Sequence, residues 1–356
     1  MHLSTSNFKT PSGRHVFLLL LTCALVCALI EAGTAFEFER ISRIEQRREK
    51  EYQGALEMHS AEHATSVLVA GNSLLLEGVD FPQLQQDVGP EFSLRRLVVE
   101  GTFFLDWYYG LRRMFASGAR PNVVVLVLNP TQLSSSAIGG DYTTHFLVDK
   151  TDLLQFANDA GADRNRMSSM ALANISFFYG ARAEIRNWIL GEILPDLPNL
   201  TRSFHSTPKP LAGTDSRELA MQRLQRLDRI CQEHGAELVF VIPPSNADLG
   251  TSALSKAASA IGIRVLIPIA PGLLLPSDYS DRFHLSPNGA SKFTPALAAG
   301  LRQVLLVSEA RRNVTTAFKS GSAIMQRLND SRRQTSFASA LPDRTAAGKA
   351  VHNPGN

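Results

Sequence analysis

The sequence NVVVLVL at Asn122–Leu128 decides the fold. Its six aliphatic residues follow one another without polar alternation, so a strand here needs both faces covered, as in parallel sheets. Four other short runs are predicted as strands: Ser66–Ala70, Leu94–Glu100, Glu237–Ile242 and Ile263–Ile267. Helical patterns lie between them, and this alternation predicts an α/β fold with a parallel, doubly wound sheet.

One region, residues 143–214, interrupts the alternation of strand and helix patterns after the third strand. It contains an amphipathic helical pattern at Ser176–Leu194, followed by a Pro-rich loop. We predict a helical insertion that lies over the carboxyl edge of the sheet. Such an insertion either shapes the substrate entrance or is simply a pair of packing helices.

The N-terminus has the pattern of an export signal. His15–Ile30 is a sixteen-residue run without Asp, Glu, Lys or Arg, and it follows Lys9 and Arg14. A signal peptide within residues 1–36 and an uncleaved signal-anchor both fit this pattern. The charged segment 37–64 is typical of a helical stalk, which favours the anchor. In that case the basic flank keeps the N-terminus cytoplasmic and the main domain extracytoplasmic; after cleavage the protein is secreted or periplasmic.

Composition excludes several function classes. The 356 residues are 44% hydrophobic and carry 36 Lys and Arg against 33 Asp and Glu. The basic excess lies in residues 309–356, which we predict to be a disordered tail. Since no basic surface interleaved with aromatic residues is visible, nucleic acid is not an expected partner. Cys231 is the only cysteine after the apolar run and no CxxC pair exists, so neither a metal nor another cofactor is expected.

Three strand ends carry residues suited to stabilising an oxyanion. Gly71-Asn72-Ser73-Leu74 follows the first strand, and a serine there lies at a helix N-terminus with free N–H groups. Gly101 follows the second strand, where its N–H can approach a reacting oxygen. The amide of Asn129 follows the third and can donate to the same oxygen. Each of these residues is also an ordinary turn or cap residue.

The most specific motif is Asp281-Arg282-Phe283-His284-Leu285, which precedes a predicted helix. Asp281 and His284 are three residues apart on a turn, so the carboxylate can orient the imidazole from one side while Ser73 faces the other. His284 would then accept the serine proton, and Asp281 would fix the tautomer. The alternative is that His284 only caps the helix.

Taken together and in this order, these motifs resemble the SGNH (GDSL-type) hydrolase and acyltransferase superfamily over residues 65–308. The resemblance implies a flavodoxin-like three-layer α/β/α sandwich with a parallel five-stranded sheet. It also implies that Ser73 attacks an ester, with His284 and Asp281 completing the triad. The oxyanion hole would comprise the backbone N–H groups of Ser73 and Gly101 and the side chain of Asn129.

Two positions depart from the family pattern. Asn72 replaces the aspartate of GDSL, and Val127-Leu128-Asn129-Pro130 stands where Gly-x-Asn-Asp is usual. Similar departures occur in a membrane-anchored branch that includes alginate-acetylation proteins and the D-alanine transfer protein of teichoic acids. That branch implies an acylated glycan or other ester of the cell envelope as substrate.

Transfer of an acyl group across the membrane would require a multispanning partner protein, because one apolar segment cannot form a transporter. Two alternatives stay open. One is a catalytically inactive SGNH-fold component that binds or assembles envelope polysaccharide machinery. The other is an esterase or lipase secreted after signal cleavage.

Overall fold

The computed structural model describes residues 13–59, 64–194 and 214–338. Its strands are β1 (Thr65–Gly71), β2 (Phe92–Val98), β3 (Val123–Val127), β4 (Glu237–Val241) and β5 (Arg264–Leu266). They form one all-parallel sheet in the order β2-β1-β3-β4-β5. Every strand overlaps one of the five runs predicted from the sequence.

Helices cover both sides of this sheet, which confirms the predicted three-layer α/β/α architecture. They are α1 (Gly13–Ile41), α2 (Arg43–Leu56), α3 (Ser73–Gly78), α4 (Phe81–Val88), α5 (Phe104–Ala116), α6 (Pro130–Ser134), α7 (Asp141–Leu147), α8 (Leu153–Asp159), α9 (Arg164–Ile175), α10 (Phe177–Ile193), α11 (Thr214–Glu233), α12 (Thr251–Ala260) and α13 (Pro287–Ala338). All residues of β1 and β3 are buried, as expected for parallel strands covered on both faces.

The register of the sheet brings three loops to one level. Gly71, the last residue of β1, pairs with Val98 of β2 on one side and with Val127 of β3 on the other. The chain therefore leaves all three strands at the same edge. In parallel sheets, this carboxyl edge is where ligands bind and where catalytic loops lie.

The connection from β3 to β4 is helical, as predicted. It begins directly after β3 with α6 and continues through α10, so helical structure starts before the predicted boundary at residue 143. Helices α7, α9 and α10 pack on one another, and α7 also contacts α5. The predicted Pro-rich loop, residues 195–210, lies outside the described residues.

The N-terminal apolar segment forms the helix α1. Its part Gly13–Phe38 is long and apolar enough to cross a membrane, and its most apolar stretch is entirely unburied. The helix thus extends well beyond the apolar run seen in the sequence. Length and composition fit a membrane span and a signal sequence alike.

The charged segment that suggested a stalk is partly buried. Helix α2 packs against β2, the edge strand of the sheet. The carboxylate of Glu51 accepts hydrogen bonds from Arg96 Nε and from the backbone N–H of Val98, both at 2.8 Å. Charges on α2 thus satisfy groups of the edge strand, and the helix is packed onto the domain instead of standing apart from it.

The C-terminal segment differs from the predicted disordered tail. Helix α13 is continuous to Ala338, so the stretch from Glu309 to Ala338 is helical. Its four Ala and five Arg favour helix formation, whereas the prediction of disorder gave more weight to its Ser, Gly and Asn. Residues from Gln303 onward form a separate unit. Residues 339–356, the rest of the predicted tail, lie outside the described residues.

Candidate active site

Ser73 is the first residue of α3, directly after the turn that leaves β1. Asn72 caps this helix: its Oδ1 accepts a hydrogen bond from the Leu74 N–H at 3.1 Å. Its Nδ2 donates to the carbonyl oxygen of Thr102 at 3.0 Å, which ties the loop after β1 to the loop after β2. An aspartate could make the first bond but, when ionised, could not donate the second. This explains the motif GNSL in physical terms.

Gly71 is required by close packing. It is not among the glycines with positive φ, so a left-handed backbone is not the reason for a glycine at this position. A Cβ atom on Gly71 would lie 2.9 Å from the carbonyl oxygen of Val127 and 3.1 Å from Cβ of Leu75. The absence of a side chain lets α3 begin directly against β3, which fixes where Ser73 lies.

The structure brings Ser73, His284 and Asp281 into one hydrogen-bonded chain. The Oγ of Ser73 lies 2.9 Å from Nε2 of His284, and Nδ1 of His284 lies 2.7 Å from Oδ2 of Asp281. The other carboxylate oxygen of Asp281 accepts the backbone N–H groups of Phe283 and His284 at 2.8 and 2.7 Å. This arrangement has the order and reach of a nucleophile, a base and an orienting acid.

The carboxylate of Asp281 is held in its charged form. Partial burial alone would raise its pKa, but hydrogen bonds from the backbone and ring of His284 and from the Phe283 N–H hold the pKa below its ordinary value. A charged acceptor at Nδ1 favours the tautomer with the proton on Nδ1. Nε2 is then free to accept the hydroxyl proton of Ser73. A further carboxylate, that of Glu77, lies 3.9 Å from Nε2.

The turn that carries Asp281 and His284 is fastened to the start of α13 by a buried aspartate, Asp278. Both of its carboxylate oxygens accept from Lys292 Nζ, at 2.7 and 2.8 Å, and Oδ1 also accepts from Asn288 Nδ2 at 2.6 Å. A Cβ on Gly289 would clash with the Asp278 carbonyl oxygen. These contacts of Asp278 with α13 were not predicted from the sequence, although the Asn288-Gly289 pair next to the motif could have indicated them.

Gly101 adopts a left-handed conformation with a φ of 70°. The residues before and after Gly101 are both held in place by hydrogen bonds. Glu100 accepts hydrogen bonds from Arg47 at 2.6 Å and from Arg48 at 2.8 Å, both on α2. Thr102 is held through its carbonyl by Asn72. The loop that would supply an oxyanion N–H is therefore fixed by its neighbours, while Gly101 itself faces open space on its Cβ side.

A second support of this loop comes from the segment between α6 and α7. The fully buried carboxyl of Asp106 accepts the backbone N–H groups of Phe103 and Gly139, each at 2.9 Å. Burial raises the pKa of Asp106 to about 7, against the lowering effect of these hydrogen bonds. A Cβ on Gly139 would lie 3.1 Å from the carbonyl oxygen of Gly101. Neither Asp106 nor Gly139 was identified from the sequence, because their pairing joins residues distant along the chain.

Asn129 caps a helix, whereas the sequence offered an Asn-Pro turn as the alternative to a donor role. Its Oδ1 accepts from the N–H of Gln132 at 2.8 Å and from Oγ1 of Thr131 at 2.7 Å, so it caps α6. Among the described residues, no hydrogen bond uses its Nδ2. Asn129 follows β3 by two residues, as Ser73 follows β1, and the paired strands end at the same level. The capping and the donor roles are therefore compatible.

A cavity of about 1000 Å³ lies between α10 and the residues at the junction of α1 and α2. Glu100, the residue before Gly101, contributes to its wall, as do Arg48, Glu184 and Trp188. The insertion thus supplies one wall of this cavity, and the cavity reaches the loop after β2. Ser73 and His284 are not among its lining residues.

Within the described part of the chain, no group of three or more His, Cys, Asp or Glu side chains is arranged to hold a metal ion. Neither a protein-family model nor a curated protein matches this chain.

Proposed function

We propose that this protein is an exported, serine-dependent ester hydrolase or O-acyltransferase of the SGNH type that acts on ester groups of cell-envelope glycans. The observation that carries the proposal is the chain Ser73–His284–Asp281, with its 2.9 and 2.7 Å contacts. Its position supports the same function, because Ser73 lies at the carboxyl edge where the loops after β1, β2 and β3 meet.

The reaction begins with attack of Ser73 Oγ on the acyl carbonyl, while Nε2 of His284 takes the hydroxyl proton. The tetrahedral intermediate collapses, the bond to the alcohol oxygen breaks, and His284 returns the proton to the departing alcohol. An acyl-serine remains. Water or an acceptor hydroxyl then attacks it and loses its proton to His284. The bond between the acyl carbon and Ser73 Oγ breaks, and His284 returns the proton to Oγ, which restores free Ser73. Asp281 stabilises the imidazolium in both halves.

The negative charge on the intermediate needs donors fixed before the reaction. The backbone N–H groups of Ser73 and Gly101 and the Nδ2 of Asn129 are the proposed donors. Support comes from the fixed geometry around Gly101 and from the absence of another hydrogen bond to Nδ2 among the described residues. Backbone donors held in this way need no reorganisation when charge develops.

The proposed location is the outer side of the cytoplasmic membrane, with α1 as a signal-anchor. The length and exposure of Gly13–Phe38 support this. A transferase in this position would receive acyl groups from a multispanning membrane protein, since α1 alone cannot carry them across. A hydrolase would remove acyl groups from a glycan ester and would need no such partner.

The test is covalent labelling of the full chain with a fluorophosphonate probe, which reacts with activated serines. Labelling is expected in the native protein and lost in Ser73→Ala, while Ser136→Ala, which changes an exposed serine, keeps it. Circular dichroism and thermal unfolding would establish that each variant is folded. A folded native protein that shows no labelling would contradict the enzyme proposal and favour the non-catalytic binding component.

A further inference from the structure

The corner between α9 and α10 presents an apolar surface to solvent. Leu172 and Ile175 at the end of α9 are 51% and 73% exposed, and Phe178 at the start of α10 is 43% exposed. By contrast, the exposed positions at the start of α9 are polar or basic, including Arg164 and Arg166. The exposed face of α9 therefore changes from basic to apolar along its length.

This apolar corner lies beside α1. Glu31 of α1 accepts hydrogen bonds from Ser176 Oγ at 2.6 Å and from the backbone N–H of Phe178 at 3.3 Å, and also from the N–H of Phe177. Phe38 lies about two turns after Glu31 on α1, and its ring is 6.1 Å from that of Phe177. A carboxylate at the free N–H groups of a helix is favourable, so these contacts fix α10 to α1 at a defined height.

The height of Glu31 is set by the length of the helix that precedes it. From Gly13 to Glu31, α1 rises about 27 Å, close to the ~30 Å thickness of the hydrocarbon core of a bilayer. If α1 spans the membrane, Glu31 lies at the outer boundary of this core. The hydrogen bonds hold Ser176, and with it the apolar corner, at the same boundary. Charged groups are tolerated there far better than at the centre of the bilayer.

We propose that the corner formed by Leu172, Ile175 and Phe178 inserts into the outer boundary between lipid head groups and acyl chains, beside α1. The domain is then attached to the bilayer at two places, one spanning and one interfacial. The lipid surface is the proposed occupant because the corner is continuous with the candidate membrane span. This inference rests on α1 acting as an anchor but not on the proposed chemistry.

The test uses the full chain reconstituted in vesicles of phosphatidylcholine and phosphatidylglycerol. Cys23 and Cys27 are replaced by alanine, and the buried Cys231 is kept. An environment-sensitive NBD fluorophore is attached at Ile175→Cys or, as control, at Ile261→Cys on the loop after α12, which is also exposed. We expect a blue-shifted emission at position 175 that shallow nitroxide-labelled lipids quench, and neither effect at position 261.

Three results would overturn the inference. Emission at position 175 that resembles the control would show that the corner stays in water. A blue shift without nitroxide quenching, or one that disappears when protein is diluted in lipid, would indicate burial against a second copy. Resistance to alkaline carbonate extraction is measured in parallel. If the protein resists extraction but position 175 stays in water, α1 anchors the protein but the corner does not insert into the bilayer.

Discussion

The two sides of Ser73 are built differently. On the proton-transfer side, Asp281 and His284 come from one short turn and hydrogen-bond each other directly. On the oxyanion side, the candidate donors come from three separate strand ends. Hydrogen bonds such as those of Glu100 with Arg47 and of Asp106 with Gly139 hold the loops in place. A short local motif carries the first side, whereas the second depends on contacts between distant parts of the chain. Substitutions on the two sides should therefore differ in their effects on activity and on stability.

The largest effect is expected on the proton-transfer side. His284→Ala removes the only base that contacts Ser73 Oγ among the described residues and should lower kcat for an activated acetyl ester by about 10⁴-fold or more. Asp281→Asn should lower it less, since the imidazole remains. The control is His234→Ala, which removes a histidine stacked on Phe115. Near-full activity of folded His284→Ala would contradict the triad.

A smaller but specific effect is expected at Asn129. Asn129→Asp keeps an oxygen that can cap α6 but loses the Nδ2 donor, so kcat should fall roughly 10²- to 10³-fold with little change in Tm. Gln132→Ala is the matched control, because it weakens the capping box and leaves Nδ2 in place. Equal kcat in Asn129→Asp and the native protein would remove Asn129 from the oxyanion hole.

Weakening the hydrogen bonds between Glu100 and the arginines of α2 tests the longer-range support of Gly101. Glu100→Gln leaves the buried Arg48 with a weaker partner, so the free energy of unfolding should fall by about 1–2 kcal/mol. We also expect kcat to fall roughly tenfold, with KM little changed, because the loop before Gly101 loses a fixed anchor. Glu51→Gln, which breaks the ion pair between Glu51 of α2 and Arg96 of β2, is expected to cost stability without the loss in kcat.

A further effect concerns the pH dependence of stability at Asp106. Its pKa is raised to about 7 in the folded protein, above the ordinary value for the unfolded chain. The folded state therefore binds this proton more tightly, and the resulting stability is lost as pH rises through about 7. Urea unfolding should show that the free energy of unfolding falls more between pH ~5 and pH ~8 in the native protein than in Asp106→Asn. Equal declines would contradict the raised pKa.

The sequence predicted what depends on short stretches of chain. The five strands, the turn with Asp281 and His284 and the position of Ser73 at a helix start all follow from local patterns, and the structure brings these residues together. The partners of Glu100 and Asp106 could not be predicted, because they lie on α2 and on the loop before α7. Charge density on α2 indicated a solvated stalk, yet its charges pair with the sheet edge. From sequence alone, ion-pairing charges and solvated charges are indistinguishable.

The packing of α2 on the edge strand limits where the chain can be shortened. A soluble version that began after α2 would expose the Val98 N–H and leave Glu100 without Arg47 and Arg48. One that began at Ser42 would keep all three contacts and the cap that this residue gives to α2. By these contacts, the domain that carries Ser73 starts at the first turn of α2, some twenty residues before its first strand.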